Sequence, residues 1–397
     1  MSRTVQLASV EHAHALAIKR LPPSVYEYFR GGRGTRRTLR ANLEAFDALE
    51  FQPRAAAFTS PRSLDTTILG RPASMPVVAS PAGLIRLADP DAELAVARAT
   101  RDAGIPAGIS TFSGHPIENI RAQGDDVWFQ LYLIDGRRGG EVMIDRAQRA
   151  GCRALIVTVD LPVTIPMEEP SRPVPERVDL RTCLQYLPEM ITHPAWALQF
   201  LRGGLELAVP NMPPGPGGAT MSLAEATRAW KTAPATWADF AWIRAQWKGP
   251  LVIKGVLSAD DARRALDAGA DAISVSNHGG NSVDGVPASI SVLPDVVAAV
   301  GSRTEVYLDS GVRRGADVVR ALALGARAVL IGRAYIWGLA AGGEPGVRQI
   351  LELFRRDIDA TLGLLGCPSV QALDPGFLRR HYGDTEQGGS PLVNFPT

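Results

Sequence analysis

The sequence feature that most restricts the fold is a series of eight short apolar runs separated by amphipathic stretches of helical length. Near-continuous apolar runs of this length are typical of strands that are buried on both faces of a parallel sheet. Helical connectors fit between most of them, for example at 91–103, 258–268 and 315–324. The runs are 75–81, 106–110, 127–132, 154–160, 251–256, 272–277, 305–311 and 328–333.

Eight strand-helix units that close on themselves form an α/β TIM (β/α)8 barrel, whose active site lies at the carboxyl ends of the strands. An open doubly wound sheet is the alternative arrangement of the same units. Polar residues cluster where the runs end, which favours the barrel.

Two segments lie outside the repeat, and both are interpreted as parts of one domain spanning 1–397. Residues 1–70 contain a helical opening, LPPSVYEYF from Leu21, and then an irregular stretch. Residues 161–235 form an insertion rich in Pro and Gly around PNMPPGPGG. Long connections in compact domains are often lids, so we expect this insertion to be a lid over the barrel mouth.

Composition excludes several classes of protein. The 42 Lys and Arg balance 41 Asp and Glu, which argues against a nucleic-acid binder with a basic face. Neither a secretory signal nor an apolar run of about 18 residues is present, so we expect a cytoplasmic protein without a membrane partner. The three cysteines are far apart and lack the spacing of a metal site, so no metal is predicted.

The run Ser276-Asn277-His278-Gly279-Gly280 follows the sixth apolar run, where a barrel strand would end. Histidine is the usual general base near neutral pH, and Asp160 at the end of the fourth run could orient its imidazole. The alternative is a structural histidine. The chain has no G-x-S-x-G elbow, so hydrolysis is a poor fit.

Two glycine-containing turns with arginines follow the seventh and eighth runs, DSGVRRG from Asp309 and IGR from Ile331. This is where barrels of this type bind phosphate, although surface arginines on solvated loops are the alternative. Lys254 lies inside the apolar run LVIKGV and would be costly to bury without a negative partner. A reduced flavin, anionic near N1, would supply that charge.

The motifs SNHGG, DSGVRRG, VLIGRAY, LVIKGV and LPPSVYEYF together resemble the FMN-dependent 2-hydroxy-acid oxidase and dehydrogenase family, which includes glycolate oxidase and lactate oxidase. The resemblance extends from about residue 10 to about residue 370, with the motifs in the family's order. It implies a TIM barrel, bound FMN and removal of hydrogen from a carbon bearing a hydroxyl. It also implies a homo-oligomer, often a tetramer in relatives with this fold.

The resemblance assigns roles to residues at matching motif positions. His278 is the expected base, with Asp160 as its partner. Tyr132 is expected near the substrate oxygen, Lys254 beside flavin N1 and O2, and Tyr28 at the substrate carboxylate. The residues expected to contact FMN are Pro81, Ala82, Gly83, Ser110, Gln130, Thr158, Lys254, Ser276, Asp309, Gly311, Arg313, Gly332 and Arg333.

The chain departs from the family at two substrate positions. Where the family follows SNHG-x with a carboxylate-binding arginine, this chain has Asn281. A second such arginine, seven residues after the strand-four aspartate, aligns with Met167. A charged hydrogen bond contributes about 1.5–3 kcal/mol, so two lost arginines weaken carboxylate binding by several kcal/mol. Nearby charged residues that could suit an ammonium or compensate for the loss are Glu168, Glu169, Arg172, Arg177 and Arg181.

The motifs SNHGGN-x-x-DG, PATWADFAWIR and GLAAGGEPGV are similar to the mycofactocin-pathway subgroup of the family, which oxidises a peptide-derived cyclic amine. The stretch DLPVTIPMEEP is less like that subgroup. The sequence therefore predicts an FMN oxidoreductase that acts on a peptide-derived amine or an uncharged alcohol in natural-product biosynthesis. A 2-hydroxy-acid oxidase or dehydrogenase, and a flavin-binding scaffold without turnover, are the alternatives.

Overall fold

The computed structural model of the chain describes residues 5–163, 180–202, 208–215, 220–230 and 235–380. The strands in these ranges are β1 Leu49–Phe51, β2 Thr66–Ile68, β3 Arg71–Ala73, β4 Val77–Ala79, β5 Ala107–Ile109, β6 Val127–Leu131, β7 Ala154–Thr158, β8 Leu251–Val256, β9 Ala272–Val275, β10 Glu305–Leu308, β11 Ala328–Ile331 and β12 Leu378–Arg380. The α-helices are α1 Val10–Arg20, α2 Pro23–Arg30, α3 Arg37–Asp47, α4 Ala92–Ala103, α5 Ile117–Arg121, α6 Gly136–Arg149, α7 Leu180–Thr192, α8 Pro194–Arg202, α9 Leu223–Trp230, α10 Phe240–Gln246, α11 Ala259–Asp267, α12 Ser289–Val300, α13 Gly315–Ala323 and α14 Arg333–Leu365.

Strands β4 to β11 form a closed barrel in chain order, and every neighbouring pair is parallel. Each of the eight apolar runs contributes one of these strands. Helices α4, α11 and α13 lie in the three stretches where the sequence predicts connectors. The predicted TIM barrel is therefore confirmed, and the open doubly wound sheet is wrong.

The barrel interior is an apolar core built from alternate strand residues. Its members are Val78, Trp128, Ala154, Ile156, Val252, Ala272, Tyr307, Ala328 and Leu330, which cluster with Ile68, Leu69 and Ala73 of the β2–β3 hairpin. Since side chains alternate along a strand, the next inward layer is set by the same register. That layer is polar and buried, and consists of Gln130, Thr158, Lys254, Ser276 and Asp309.

The N-terminal segment is more ordered than its sequence suggests. Helix α1 precedes the predicted helical opening, and α3 occupies part of the stretch that the sequence analysis treats as irregular. The buried face of α3 carries Thr38, Asn42 and Phe46. Because two of these three residues are polar, the apolar periodicity that would reveal the helix is weak.

The described parts of the insertion contain α7, α8 and α9. Glu189 of α7 accepts hydrogen bonds from Ser24 N and Oγ at 3.0 and 2.7 Å, and Trp196 Nε1 donates to Leu87 O at 2.7 Å. These contacts hold the insertion against the N-terminal segment and the loop after β4. The role of a lid stays a prediction. In the part of the chain that the structure describes, no helix is long and apolar enough to cross a membrane.

Candidate active site

A histidine and an aspartate from different strand ends meet at the mouth of the barrel. His278 follows β9 and Asp160 follows β7, and the distance from Nδ1 to Oδ1 is 2.9 Å. Burial alone would raise the pKa of Asp160, but the charge of His278, their hydrogen bond and the charge of Lys254 lower it. An ionised carboxylate can only accept, so Nδ1 carries the proton and Nε2 has the free lone pair. This arrangement suits His278 to remove a proton from a substrate.

The backbone around this pair is fixed by unusual torsion angles. His278 has φ 57 and Ser310 has φ 75, both in the left-handed region that non-glycine residues rarely adopt. Ser276 Oγ accepts from His278 N at 3.0 Å, and Ser310 Oγ accepts from Gly279 N at 2.9 Å. Gly255 has φ 111, and a Cβ there would lie 2.6 Å from Asp160 Cβ. Residues of neighbouring strands therefore hold the loops that carry His278 and Asp160 in place.

Lys254 forms a buried ion pair at the centre of the polar layer. Its Nζ lies 2.7 Å from Asp309 Oδ2, with side chains only 4% and 7% exposed, and it donates to Ser276 Oγ at 2.9 Å. Burial lowers the pKa of Lys254, but the charges of Asp309 and Asp160 outweigh it and raise the pKa. The ammonium therefore stays charged. The flavin is the negative partner predicted from the sequence, and the structure adds a protein carboxylate in contact with the ammonium.

Polar groups suited to a flavin ring line the next part of the mouth. Gln130 Oε1 accepts from Ser110 Oγ at 3.2 Å and from Thr111 N at 3.3 Å, which directs its Nε2 away from them. This Nε2 and Thr158 Oγ1 are buried and have no hydrogen-bond partner. Buried polar groups are normally satisfied, so these two fit the carbonyl and ring nitrogen atoms of a bound flavin.

The segment Pro81-Ala82-Gly83 after β4 lies beside these polar groups. Pro81 packs so closely on Gly108 that a Cβ there would lie 2.6 Å from Pro81 Cδ. A Cβ on Gly83 would lie 3.7 Å from Ser110 Oγ and 2.9 Å from Phe112 Cβ. The segment is therefore held against the same side of the mouth as Ser110, as expected for residues along a flavin ring.

Two arginines at the ends of β10 and β11 suit a phosphate. Burial and the charge of Arg313 lower the pKa of Arg333 to about 9, and burial lowers the pKa of Arg313. Arg333 Nη2 is buried without a partner, and a Cβ on Gly332 would contact no atom within 4 Å. Gly311 has φ 94 and packs on Asn42 O. Two guanidinium groups that repel each other, beside a Gly332 backbone that no side chain covers, fit a dianionic phosphate.

These observations test whether FMN fits the site, and it does. Arg313, Arg333 and Gly332 would hold its phosphate, whereas Gln130, Thr158 and Ser110 would hold its ring. Lys254 would place a positive charge beside it. When bound, FMN supplies the chemistry of a two-electron hydride acceptor.

The structure brings most of the expected substrate residues to this mouth. Burial and the charges of Asp160 and Tyr28 raise the pKa of Tyr132 well above its usual value, so its phenol stays a hydrogen-bond donor. Tyr28 OH donates to Gly83 O at 3.1 Å. Asn281 Oδ1 accepts from Gly32 N at 2.7 Å, which ties this side chain to the N-terminal segment. Met167 lies outside the described residues.

Two polar residues contribute to the site without having been predicted from the sequence. Ser310 Oγ donates to Asp309 Oδ1 at 2.6 Å and so links the ion pair to the histidine loop. Asn42 of α3 exchanges hydrogen bonds with Asn277 at 2.9 and 2.7 Å. Ser310 lies within a motif that the analysis singled out, whereas the sequence gives no signal that Asn42 would reach the barrel mouth.

Comparisons with known proteins agree with this chemistry. Residues 17–380 match the family of FMN-dependent dehydrogenases, and the chain belongs to that family. It is therefore a flavin oxidoreductase built on a closed parallel barrel. The chain is 42% identical to the pre-mycofactocin synthase of Mycolicibacterium smegmatis, over 98% of each protein.

Solved structures with the same fold include relatives that act on mandelate. The monotopic membrane protein (S)-mandelate dehydrogenase is 37% identical, with a TM-score of 0.85 that covers 94% of this chain and 100% of the other. An arginine-to-leucine variant of mandelate oxidase, solved with 2-hydroxy-phenylacetamide, is 36% identical, with a TM-score of 0.76 over 94% of this chain and 98% of the other.

Proposed function

We propose that the protein uses FMN to oxidise a carbon that bears an amine or a hydroxyl beside an amide group, in a peptide-derived molecule. The observation that carries this proposal is Asn281, where the family resemblance expects an arginine. Its Oδ1 is occupied by Gly32 N, so the side chain offers the neutral donor Nδ2 to a ligand. A neutral amide suits a neutral carbonyl oxygen better than a carboxylate.

The described residues supply the proton chemistry for this reaction. His278 Nε2 accepts the proton from the substrate N–H or O–H while the carbon loses a hydride, so two electrons leave the substrate. Asp160 stabilises the imidazolium that forms, and Tyr132 donates to the substrate oxygen. An amine yields an imine, and water then adds and releases ammonia to leave a keto-amide.

Similar proteins support an amide group beside the reacting carbon of the substrate. Pre-mycofactocin synthase is similar along nearly the whole chain. An arginine-to-leucine variant of mandelate oxidase was solved with 2-hydroxy-phenylacetamide, which is an α-hydroxy amide. The amide bound to this variant agrees with Asn281 at a position where the family resemblance expects an arginine.

Oxidation of a 2-hydroxy acid is the second candidate. It is favoured by Tyr28, which the resemblance places at a substrate carboxylate and whose OH lies 3.1 Å from Gly83 O at the mouth. Relatives that act on mandelate support the same assignment.

Anaerobic stopped-flow bleaching of the FMN-loaded protein separates the two candidates. A matched series is mandelate, 2-hydroxy-phenylacetamide and phenylglycinamide, which share the phenyl ring. We expect the two amides to bleach the flavin faster than the acid. Rapid bleaching by mandelate with no response to either amide would refute the proposal.

We further propose that the protein is a homo-oligomer, as the family resemblance implies. Light scattering after size-exclusion chromatography measures the mass in solution. A monomer at all concentrations would contradict this assignment.

A further inference from the structure

Three arginines lie close together in the N-terminal segment, but their partners differ. Arg36 Nη2 lies 2.6 Å from Glu27 Oε2, and Arg30 Nη1 lies 3.1 Å from Glu27 Oε1. Arg33 has no side-chain hydrogen bond or ion pair with any residue in the described ranges, and its Nε is buried. Buried guanidinium donors without an acceptor are costly, so a native structure normally provides one.

The backbone fixes Arg33 against the loop that carries the catalytic histidine. Arg33 N donates to Gly280 O at 3.0 Å, two residues after His278. The preceding Gly32 N donates to Asn281 Oδ1. Gly31 has φ 59, and a Cβ there would lie 2.5 Å from Asn281 Oδ1, so only glycine allows the segment to come this close.

Electrostatic interactions link the Arg33 side chain to the phenols at the barrel mouth. Burial lowers the pKa of Arg33, and Tyr28 is the neighbour that opposes this shift. Tyr28 in turn acts on Tyr132, whose pKa is raised by burial, by Asp160 and by Tyr28. Arg33 and Tyr132 are thus both electrostatic neighbours of Tyr28, whose OH donates to Gly83 O at the barrel mouth.

We propose that Arg33 binds the acyl oxygen next to the reacting carbon of the substrate. This inference rests on the proposed function and names the group that the site recognises. A guanidinium donates N–H bonds to the oxygens of a carbonyl or carboxylate group, and Asn281, whose Oδ1 accepts from the adjacent Gly32 N, offers its Nδ2 as a second donor. Arg33 thus supplies a single guanidinium from the N-terminal segment, where the family resemblance expects two arginines at the positions of Asn281 and Met167.

Ligand binding to the FMN-loaded protein tests this role without turnover. The probes are 2-oxo-2-phenylacetamide, 2-oxo-2-phenylacetate and acetophenone, and the readout is the change in the flavin absorption spectrum on titration. Acetophenone keeps the ring and the ketone but lacks the acyl group. For Arg33→Gln we expect affinity for the first two probes to fall about 10- to 100-fold, as for loss of a charged hydrogen bond, with acetophenone unchanged.

Two further variants make the result decisive. Arg33→Lys keeps the charge and should recover part of the affinity, whereas Arg37→Gln removes an exposed arginine of α3 and should change nothing. Unchanged binding in Arg33→Gln, or an equal loss for acetophenone, would overturn the inference. If the affinity for acetophenone falls in both Arg33→Gln and Arg33→Lys, Arg33 has a structural role instead.

The two probes that carry an acyl group separate this inference from the proposed function. If the wild-type protein binds the keto acid far more tightly than the keto-amide, the amide substrate is wrong. The effect of Arg33→Gln on the keto acid still decides whether Arg33 holds the acyl oxygen.

Discussion

Replacement of Asp160 by asparagine is the sharpest test of the proton chemistry. The substitution keeps the shape of the side chain, which packs against Gly255, but removes the negative charge 2.9 Å from His278 Nδ1. The Asp160 side chain is only 6% exposed, so solvent screens its charge weakly. A neutral asparagine can no longer stabilise the imidazolium that forms when Nε2 takes the substrate proton.

The magnitude follows from the hydrogen bond that changes. A hydrogen bond to a charged group contributes about 1.5–3 kcal/mol, and about 1.4 kcal/mol corresponds to a factor of ten in rate. We therefore expect the rate of flavin reduction to fall about 10- to 100-fold in Asp160→Asn. Ligand affinity should change much less, since the charge matters most when His278 becomes protonated.

Anaerobic stopped-flow measures the reduction rate at saturating substrate, and spectral titration with 2-oxo-2-phenylacetamide measures binding. Asp260→Asn is the matched control, because the Asp260 side chain is 85% exposed and pairs with Arg263 at the surface. A reduction rate equal to that of the wild type would refute the role of Asp160. So would a purely binding effect, with affinity lost and the limiting rate retained.

Three further predictions concern buried charges. Lys254→Met leaves Asp309 buried without its positive partner, so the free energy of unfolding should fall by about 3–5 kcal/mol. Adding Asp309→Asn should restore part of this loss. An unchanged melting temperature in Lys254→Met would contradict the prediction. Burial raises the pKa of Glu93 to about 7 from 4.5. The folded state therefore holds a proton that the unfolded state loses, and wild-type stability should fall by about 3 kcal/mol as pH rises from 4.5 to above 7. Chemical denaturation across this pH range should show that the free energy of unfolding depends less on pH in Glu93→Gln than in the wild type. An equal pH dependence in the two proteins would be evidence against a raised pKa of Glu93. Arg333→Gln should weaken FMN binding about 10- to 100-fold in fluorescence titrations of the apoprotein, but should leave the binding of riboflavin, which lacks the phosphate, unaffected. Replacement of the exposed Arg327 by glutamine is the control. An equal loss of affinity for riboflavin would count against a phosphate contact.

The barrel and the polar layer at its mouth follow from the sequence because strand periodicity determines both. The residues Trp128 and Gln130 illustrate this: two positions apart on β6, they share the inward face, one in the apolar core and one at the mouth. Once the apolar runs are assigned as strands, the position of Gln130 is fixed. The same reasoning applies to Val252 and Lys254 on β8.

Contacts made by the N-terminal segment could not be derived in this way. The pairing of Asn42 with Asn277 joins residues 235 positions apart, and neither residue belongs to a repeating pattern. The protein carboxylate beside Lys254 could not be predicted either, because nothing in the run LVIKGV shows that Asp309 of another strand end lies 2.7 Å away. Both are contacts between segments distant in sequence, which local patterns do not encode.

The barrel strands and the N-terminal segment differ in how freely their functional side chains can change. His278, Asp160, Lys254 and Asp309 are placed by strands whose neighbouring inward residues fill the apolar barrel core, so moving them would disrupt close packing. Arg33 belongs to a segment that contacts the barrel mouth through backbone hydrogen bonds and glycines, which do not depend on the identity of its side chain. A cation can therefore be gained in this segment and lost at position 281 without disturbing the groups that move the proton. The proposed acyl-binding group and the proposed proton chemistry are thus set by separate parts of the chain.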